Sequence, residues 1–108
     1  MVYFIKFPDS SKAWLSFKVE DGKLYLIETY TPPQHRGKGY ARKLVEAAVK
    51  DARKEGLKIV PICSYAVHYF IKNVGDREVL AEPYASMSDE ELRKYFEERL
   101  QEERSKHS

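Results

Sequence analysis

The chain contains 108 residues, a length typical of one domain around a single hydrophobic core. Hydrophobic residues make up 43% and charged residues 33%, a globular composition, and no apolar run approaches the roughly 20 residues of a membrane span. The numbers of basic and acidic residues are nearly equal, with a net charge of +2, and this balance does not indicate nucleic-acid binding. The single cysteine, Cys63, excludes a disulfide scaffold and a cysteine-based zinc site. We therefore expect a cytoplasmic protein with no secretory signal and no membrane contact.

Three strands with short connections are predicted in the first third of the chain. Aromatic and β-branched residues favour strands over 2–7 and 24–31, and alternating apolar and polar residues predict a half-buried strand over 13–19. Asp21-Gly22 is the strongest short signal for a hairpin turn. The three strands should therefore form an antiparallel meander.

A strand–helix–strand unit is predicted next. Two consecutive prolines end the third strand, because proline cannot donate to a ladder. Apolar residues every three or four positions predict a helix over 40–55, with Gly56 as its C-terminal cap. A strand over 57–62 and a short helix over about 65–73 follow. The strands on either side of the long helix should be parallel.

The C-terminal quarter is predicted to end in a helix. Residues 74–86 are irregular, with a short strand near 78–81. Ser88 and Glu91 have the spacing of a capping box, which predicts a helix from 89 to about 104 with a narrow apolar stripe.

These elements predict an α+β fold. We expect a mixed, mostly antiparallel sheet with a central parallel strand–helix–strand unit and an extra C-terminal helix. The main domain should cover 1–86, and the C-terminal helix and tail should cover 87–108. That last segment packs either on the same domain or at the interface of a homodimer.

The segment before the central helix, residues 34–39 (QHRGKG), has the features of a ligand-binding loop. A helix start has backbone N–H groups without internal partners and roughly half a positive charge. Gly37 and Gly39 lack Cβ atoms, so the loop can turn tightly and approach a ligand closely. Arg36 and Lys38 add full charges. Together these features predict a phosphate-binding cradle.

The cradle departs from two common nucleotide motifs. Arg42 stands where a dinucleotide fingerprint needs glycine or alanine, and the Walker ending Gly-Lys-Ser/Thr is absent. Instead, residues 27–41 (IETYTPPQHRGKGYA) and 56–65 (GLKIVPICSY) resemble the short, single-domain branch of the GNAT superfamily of N-acetyltransferases. The resemblance covers approximately residues 13–73 and rests on the glycine loop together with the Pro-x-Cys-x-Tyr strand end.

The resemblance implies a binding site for acetyl-CoA. Backbone N–H groups from Arg36 to Ala41 would hold the diphosphate, and the backbone of Thr29–Thr31 would pair with the pantetheine arm. Arg42 and Lys72 would meet the 3′-phosphate. The cofactor-binding residues implied in this way are Thr29, Tyr30, Thr31, Gln34, Arg36, Gly37, Lys38, Gly39, Tyr40, Ala41, Arg42 and Lys72.

The resemblance also implies catalytic candidates. Glu28 stands where the short branch often has histidine, so it is either the catalytic base or a solvated strand-end carboxylate. Cys63 is expected near the thioester sulfur as an acid, an acetylated nucleophile or a structural thiol. Phe70 replaces the tyrosine acid of larger relatives, so Tyr65 is the better catalytic candidate and Tyr69 is expected in the core. The 3 histidines lack metal-ligand spacing, and no metal is expected.

The implied function is acetyl-CoA-dependent transfer of an acetyl group, by direct attack, to a primary amine of a protein or small metabolite. The short connection Pro8–Lys12 leaves no room for the acceptor-shaping helices of larger relatives, so the acceptor side should be open. One alternative is a CoA-binding sensor or interaction module without turnover. The other is a nucleic-acid-binding protein, because residues 34–58 carry eight basic and three acidic side chains.

Overall fold

One mixed sheet with strand order β1-β2-β3-β4 organises the computed structural model, which describes residues 1–106. Two long helices and one short helix accompany the sheet, and short 3₁₀ turns connect the remaining segments. The strands are β1 (Val2–Lys6), β2 (Lys12–Glu20), β3 (Lys23–Tyr30) and β4 (Lys58–Pro61), and the helices are α1 (Tyr40–Glu55), α2 (Ser64–Lys72) and α3 (Asp89–Lys106). The predicted α+β fold is confirmed, while tail residues 107–108 lie outside the described residues.

The hairpin between β2 and β3 turns on two residues with positive φ. Asp21 has φ 52° and Gly22 has φ 74°, and the flanking pair Glu20–Lys23 closes the turn. Positive φ at both central positions is the signature of a type I′ turn, whose twist matches that of the strands. The turn predicted from Asp21-Gly22 is therefore confirmed.

The parallel strands β3 and β4 pair along only part of β3. Their register runs from Lys23–Lys58 to Leu26–Pro61, so the last four residues of β3 extend past the ladder. The backbone N–H groups of Ile62 and Cys63 both donate to the Leu26 carbonyl, at 3.0 and 3.1 Å, which marks where the chains diverge. The predicted parallel unit is confirmed, and it ends in an open strand edge.

A bulge in the β2–β3 ladder changes which side chains face the core. Ser16 lies opposite Glu28, but Phe17 lies opposite Leu26, so Ile27 is an extra residue in β3. Directly opposed residues share a face of the sheet. The bulge therefore leaves Glu28 on the face opposite the core, in the stretch of β3 that extends beyond β4.

The core lies between the sheet and α1, with α2 beside it. One face of α1 packs on the sheet, and its buried residues recur every three or four positions, as the sequence predicts: they are Leu44, Val45, Ala48, Val49 and Ala52. At the edge of this interface the Tyr3 hydroxyl donates to Asp51 at 2.8 Å, and burial raises the pKa of that hydroxyl. The helix ends at Gly56, with φ 69° and the Leu57 N–H bonded to the Ala52 carbonyl at 2.9 Å.

Helix α3 begins with the predicted capping box. The Glu91 N–H donates to the Ser88 hydroxyl at 3.1 Å, and the Ser88 N–H donates to the Glu91 carboxylate at 2.9 Å. Leu92 is fully buried, and α3 packs along α2. In residues 1–106, no helix is both long and apolar enough to cross a membrane.

The strand predicted near 78–81 is wrong. Residues Val74–Val79 form a 3₁₀ turn, and only a single parallel bridge joins Leu80 to Ile59. The cause is Arg77, whose guanidinium donates to the Phe70 carbonyl at 2.7 Å and to the neighbouring Ile71 carbonyl. These bonds satisfy the C-terminal carbonyls of α2 and hold the chain in a turn.

Candidate active site

Two depressions meet at the free edge of β3. The first, called here the loop groove, has a volume of about 390 Å³ and follows the glycine loop. The second, called the edge cavity, has a volume of about 920 Å³ and lies where β3 and β4 diverge. Thr29 and Tyr30 line both, so the two depressions adjoin at this strand edge, and together they are called the channel here. The loop groove is lined by Thr29, Tyr30, Thr31, His35, Arg36, Gly37, Gly39, Tyr40, Ala41 and Tyr65, and the edge cavity by Ile27, Glu28, Thr29, Tyr30, Ile62, Cys63, Arg99, Glu102, Glu103, Ser105 and Lys106.

The loop groove ends at the N-terminus of α1. Gly39 is the N-cap with φ 81°, and among the described residues no side chain caps the helix there. Its first turn holds no acidic residue, so its N–H groups and positive dipole end are open to an anion. A Cβ at Gly37 or Gly39 would meet no described atom within 4 Å, so their left-handed backbone, not crowding, favours glycine here.

The glycine loop is anchored to the β1–β2 turn by Asp9. Its carboxylate accepts the Ser11 hydroxyl at 2.5 Å and the Gln34 side-chain amide at 3.2 Å, and it lies 3.0 Å from His35 Nε2. Hydrogen bonds from Ser11 and then Gln34 hold the pKa of the Asp9 carboxyl well below its usual range. The His35 ring also stacks on Phe7, with centroids 3.7 Å apart. The loop is thus held in place by Asp9 and Phe7, neither of which lines the loop groove.

This anchoring explains where the predicted cofactor contacts lie. Gln34 points towards Asp9 and does not line the loop groove. Arg36 lines the groove, and its Nε donates to the Thr31 carbonyl at 3.0 Å. The other predicted lining residues on β3 and at the start of α1 meet in the groove, as expected for one site.

Of the predicted phosphate-binding cations, only Arg36 lines a depression in residues 1–106. Lys38, Arg42 and Lys72 are exposed and line neither the loop groove nor the edge cavity. Arg42 forms an ion pair with Glu46 at 2.8 Å, one turn along α1. These side chains therefore do not form the walls of either depression.

Cys63 lies at the junction of β4, α2 and the edge cavity. It is the N-cap of α2, and its Sγ accepts the Ala66 N–H at 3.4 Å. Cys63 is 3% exposed. Burial raises the pKa of its thiol to about 11, and this effect is larger than the lowering of the pKa by hydrogen bonds from Ala66 and Thr29. At neutral pH the group is therefore a protonated thiol, which is a proton donor and a poor nucleophile.

Glu28 borders the same cavity from β3. Its side chain is exposed, and within residues 1–106 its carboxylate has no hydrogen-bond or ion-pair partner. An unpaired carboxylate in a cavity is available to accept a proton or to attract a cation. The edge cavity thus brings together Glu28 and Cys63, two of the three predicted catalytic residues.

Tyr65 lies across the channel, on the loop groove. Burial raises the pKa of its hydroxyl, so the group is protonated at neutral pH. Tyr69 is buried, and its hydroxyl donates to Asp76 at 2.5 Å. Of the two tyrosines, therefore, Tyr65 faces the candidate site and Tyr69 belongs to the packed interior.

The sequence analysis missed the contribution of α3. Arg99, Glu102, Glu103 and Lys106 line the edge cavity from one face of this helix. Their spacing of three and four residues is the signal that places them together, but nothing local indicates which element they face. Among the described residues, no group of three or more His, Cys, Asp or Glu side chains is arranged to hold a metal ion.

The fold and the channel define a class of protein. A mixed sheet with a parallel strand–helix–strand unit and a glycine-rich loop at the start of the central helix is the arrangement that the sequence resemblance implied. The chain belongs to the GCN5-related N-acetyl-transferase family, whose profile matches residues 2–79. This membership supports N-acetyltransferase activity in general terms. The matched segment ends before α3, so the helix that walls the edge cavity is additional to it.

Proposed function

We propose that the protein is an acetyl-CoA-dependent N-acetyltransferase that acts on a primary amine by direct attack on the thioester. The observation that carries the proposal is that the loop groove and the edge cavity adjoin at the free edge of β3. The loop groove reaches the uncapped start of α1, and the edge cavity is lined by a carboxylate and a protonated thiol. This order matches a diphosphate, an extended arm and a reacting thioester.

Binding would use backbone groups more than side chains. The N–H groups between Arg36 and Ala41 would hold the diphosphate, because they point out of an uncapped helix start. The free edge of Thr29–Thr31 would pair with the amides of the pantetheine arm as an added strand would. Acetyl-CoA bound in this way supplies the activated acyl group, and the chain fixes its position.

Glu28 is the proposed base. An amine acceptor is mostly an ammonium ion at neutral pH and must lose a proton before its nitrogen can attack the carbonyl carbon. The Glu28 carboxylate, free of partners in residues 1–106 and exposed to the edge cavity, would accept that proton directly or through water. Its exposure then lets the proton pass to solvent.

Cys63 is the proposed acid. As the new C–N bond forms and the thioester C–S bond breaks, the departing thiolate needs a proton. The buried Cys63 thiol, with a pKa of about 11, is protonated at neutral pH and borders the cavity where that sulfur would lie. Proton transfer to the departing thiolate leaves Cys63 as a thiolate, which takes up the proton that the acylated nitrogen loses as the amide forms. Tyr65, on the groove side, is the second candidate for this donor.

The proposal is tested by binding and by turnover. Calorimetry should detect binding of CoA and acetyl-CoA, and mass spectrometry should detect acetylation in a panel of primary amines. Glu28→Gln should lower kcat by on the order of a hundred-fold and leave CoA affinity unchanged, because the base acts only in the chemical step.

Glu20→Gln is the matched control. Glu20 is an exposed strand-end carboxylate on β2 that forms an ion pair with Lys18 at 3.2 Å and lies far along the ladder from the cavity. The Glu20→Gln protein should therefore be as active as the wild type. Absence of CoA affinity in the folded protein would overturn the proposal. Tight binding without acetyl transfer to any amine would instead identify the CoA-binding module without turnover.

A further inference from the structure

The face of the sheet that α1 does not cover carries a row of aromatic side chains. Phe4 on β1 lies opposite Trp14 on β2, and Trp14 lies opposite Tyr30 on β3. Directly opposed residues share a face, and Ala13 and Leu15, on either side of Trp14, are buried in the core. These three rings, called here the aromatic row, therefore face away from α1. Trp14 and Tyr30 stack with centroids 5.7 Å apart, yet Phe4 is 53% exposed and Tyr30 is 41% exposed.

The aromatic row adjoins the candidate active site on the same face. Glu28 lies two positions before Tyr30 on β3 and opposite Ser16, which lies two positions after Trp14 on β2. Residues two apart on a strand lie about 7 Å apart on one face, so the proposed base stands one step away from the rings. Tyr30 itself lines both depressions. An acceptor whose amine reaches Glu28 can therefore extend over the aromatic row.

Two lysines lie at the far end of the aromatic row. Lys6 and Lys12 are directly opposite each other, one step beyond Phe4 and Trp14 on the same face. Like charges in this position destabilise a strand pair, and among residues 1–106 neither lysine forms an ion pair. The Lys12 ammonium lies instead 5.5 Å from the centre of the Phe4 ring. This pair of cations is complementary to an anionic group on whatever molecule covers the row.

The shape of this surface suits a polypeptide better than a small molecule. The aromatic row crosses three strands, a width of about 10 Å, and Phe4 and Trp14 line neither the loop groove nor the edge cavity. Small ligands are held in concave pockets, whereas open and partly apolar surfaces receive the side chains of another chain. From Glu28 to the two lysines the face extends about 13 Å, the length of roughly four extended residues.

We propose that the acceptor is a polypeptide, that the aromatic row binds a large apolar side chain near its reacting amine, and that Lys6 and Lys12 face an acidic side chain further along. This inference rests on the proposed acetyl transfer, because it takes Glu28 as the position of the reacting amine. Burial of one large side chain against partly exposed rings should give roughly a ten-fold preference. The exposed charges should add a several-fold preference that salt weakens.

The test compares acceptor peptides with the full chain and saturating acetyl-CoA. One set has a single lysine and a blocked N-terminus, and the other has a free N-terminus and no lysine. In each set a phenylalanine or an alanine is placed one, two or three residues from the amine. For the best position, kcat/KM should be roughly ten-fold higher with phenylalanine than with alanine.

A second comparison in the same peptides addresses the lysine pair. Glutamate placed beyond the phenylalanine should raise kcat/KM several-fold over lysine in that place. The difference should shrink as ionic strength is raised to about 0.5 M, where the Debye length falls to a few ångströms.

Phe4→Ala is the variant that isolates the aromatic row. Phe4 is more than half exposed on an edge strand, so the fold should persist. We expect the preference for phenylalanine over alanine to fall to about two-fold or less, while KM for acetyl-CoA stays unchanged. Val74→Ala is the matched control, because Val74 is 60% exposed but lies on the turn after α2, outside the sheet, and this variant should keep the full preference.

Trp14 provides a readout that does not depend on turnover, because it is the single tryptophan of the chain and lies in the middle of the row. With CoA present, the best phenylalanine peptide should shift its fluorescence to shorter wavelength, since the peptide displaces water from the indole. The alanine peptide at the same concentration should leave the emission unchanged. A phenylalanine peptide that is acetylated without any change in Trp14 emission would contradict docking on this face.

The remaining outcomes separate this inference from the proposed function. Equal rates for all peptides, or a Phe4→Ala enzyme with the full preference, would overturn the inference and leave acetyl transfer intact. Acetylation of phenethylamine but of no peptide would also overturn it, as would a wild-type dimer that dissociates in Phe4→Ala, because a second copy would then cover the row. Failure of every peptide and amine to react would overturn the proposed function, and this inference with it.

Discussion

At the scale of single residues, Cys63 combines two properties that usually exclude each other. It borders a cavity, yet it is almost fully buried and caps α2 through its sulfur. Burial disfavours the thiolate, and no lysine, arginine or histidine is among the causes that shift its pKa. Of the three roles left open by the sequence, this environment disfavours nucleophilic attack.

This environment predicts a slow, strongly pH-dependent reaction of Cys63 with alkylating reagents. With a pKa of about 11, only about one thiol in a thousand is ionised near pH 8, against roughly a quarter for a free cysteine with a pKa near 8.5. We expect iodoacetamide to react on the order of a hundred-fold more slowly with the native protein than with the urea-unfolded chain.

The pH profile of that reaction is the decisive measurement. Raising the pH should increase the native rate by about ten-fold per unit up to roughly pH 10, whereas the rate of the unfolded chain should level off above about pH 9. Cys63 is the single cysteine of the chain, so no other thiol contributes to either curve. A native rate that already levels off near pH 8 would show a freely ionising thiol and restore the nucleophile hypothesis.

Gln34 shows why single side chains are the least predictable part of the site. The motif identifies the loop correctly, because the glycine spacing and the helix start are local features. The orientation of the Gln34 side chain depends on Asp9, which lies 25 positions earlier in the chain. No local pattern contains that contact, so sequence reasoning assigned the amide to the cofactor, although it points to the β1–β2 turn.

At the scale of secondary structure, the elements that could be predicted are those whose determinants lie within a few residues. The Asp21-Gly22 turn, the Ser88–Glu91 capping box and the Gly56 cap all belong to this group. The bulge at Ile27 depends on the pairing of β2 with β3. The turn that replaces the strand predicted near 78–81 depends on the hydrogen bonds that Arg77 makes with α2. Both of these require the tertiary structure.

The two ends of α1 permit a matched test of the loop. Gly39 before the helix and Gly56 after it both adopt left-handed backbone, with φ 81° and 69°, and neither is crowded. Substitution by alanine should therefore cost about 1 kcal/mol of unfolding free energy at either position, through backbone strain alone. Only Gly39→Ala should also weaken CoA binding, by at least roughly ten-fold, because it changes the direction of the N–H groups that would hold the diphosphate.

Urea denaturation and calorimetry with CoA separate the two effects. Gly75→Ala serves as a baseline, because Gly75 is equally uncrowded and has no positive φ. Equal CoA affinity in the Gly39→Ala and Gly56→Ala proteins would show that the start of α1 is not the diphosphate site, whatever their stabilities.

At the scale of the whole molecule, α3 supplies a cavity wall that the short connection between β1 and β2 does not provide. The connection between β1 and β2 is a tight turn, with the Phe7 N–H bonded to the Ser11 carbonyl at 3.0 Å, so no helix stands between these strands. The free edge of β3 would then open directly to solvent on the acceptor side. Instead, α3 crosses the end of β4 and supplies the missing wall, so the cavity is assembled from both ends of the chain.

If α3 completes the cavity, it should unfold together with the sheet. Leu92 is fully buried at the start of α3, so Leu92→Ala should lower the free energy of unfolding by about 2–5 kcal/mol. Leu100 is half-buried on the same helix, so Leu100→Ala should lower the free energy of unfolding by less. Two probes report on different parts of the molecule. Far-ultraviolet circular dichroism follows the helices, and fluorescence follows Trp14, the single tryptophan, which lies on β2.

If the protein unfolds as one cooperative unit, both probes should give the same urea midpoint in the wild type. The two midpoints should also shift by the same amount in the Leu92→Ala protein. We expect this result because the bonds from Tyr95, Arg99 and Glu103 join α3 to the segment around Cys63. A dichroism transition that shifts while the Trp14 transition stays in place would show that α3 unfolds separately. The α3 wall of the edge cavity would then be able to detach while the sheet stays folded.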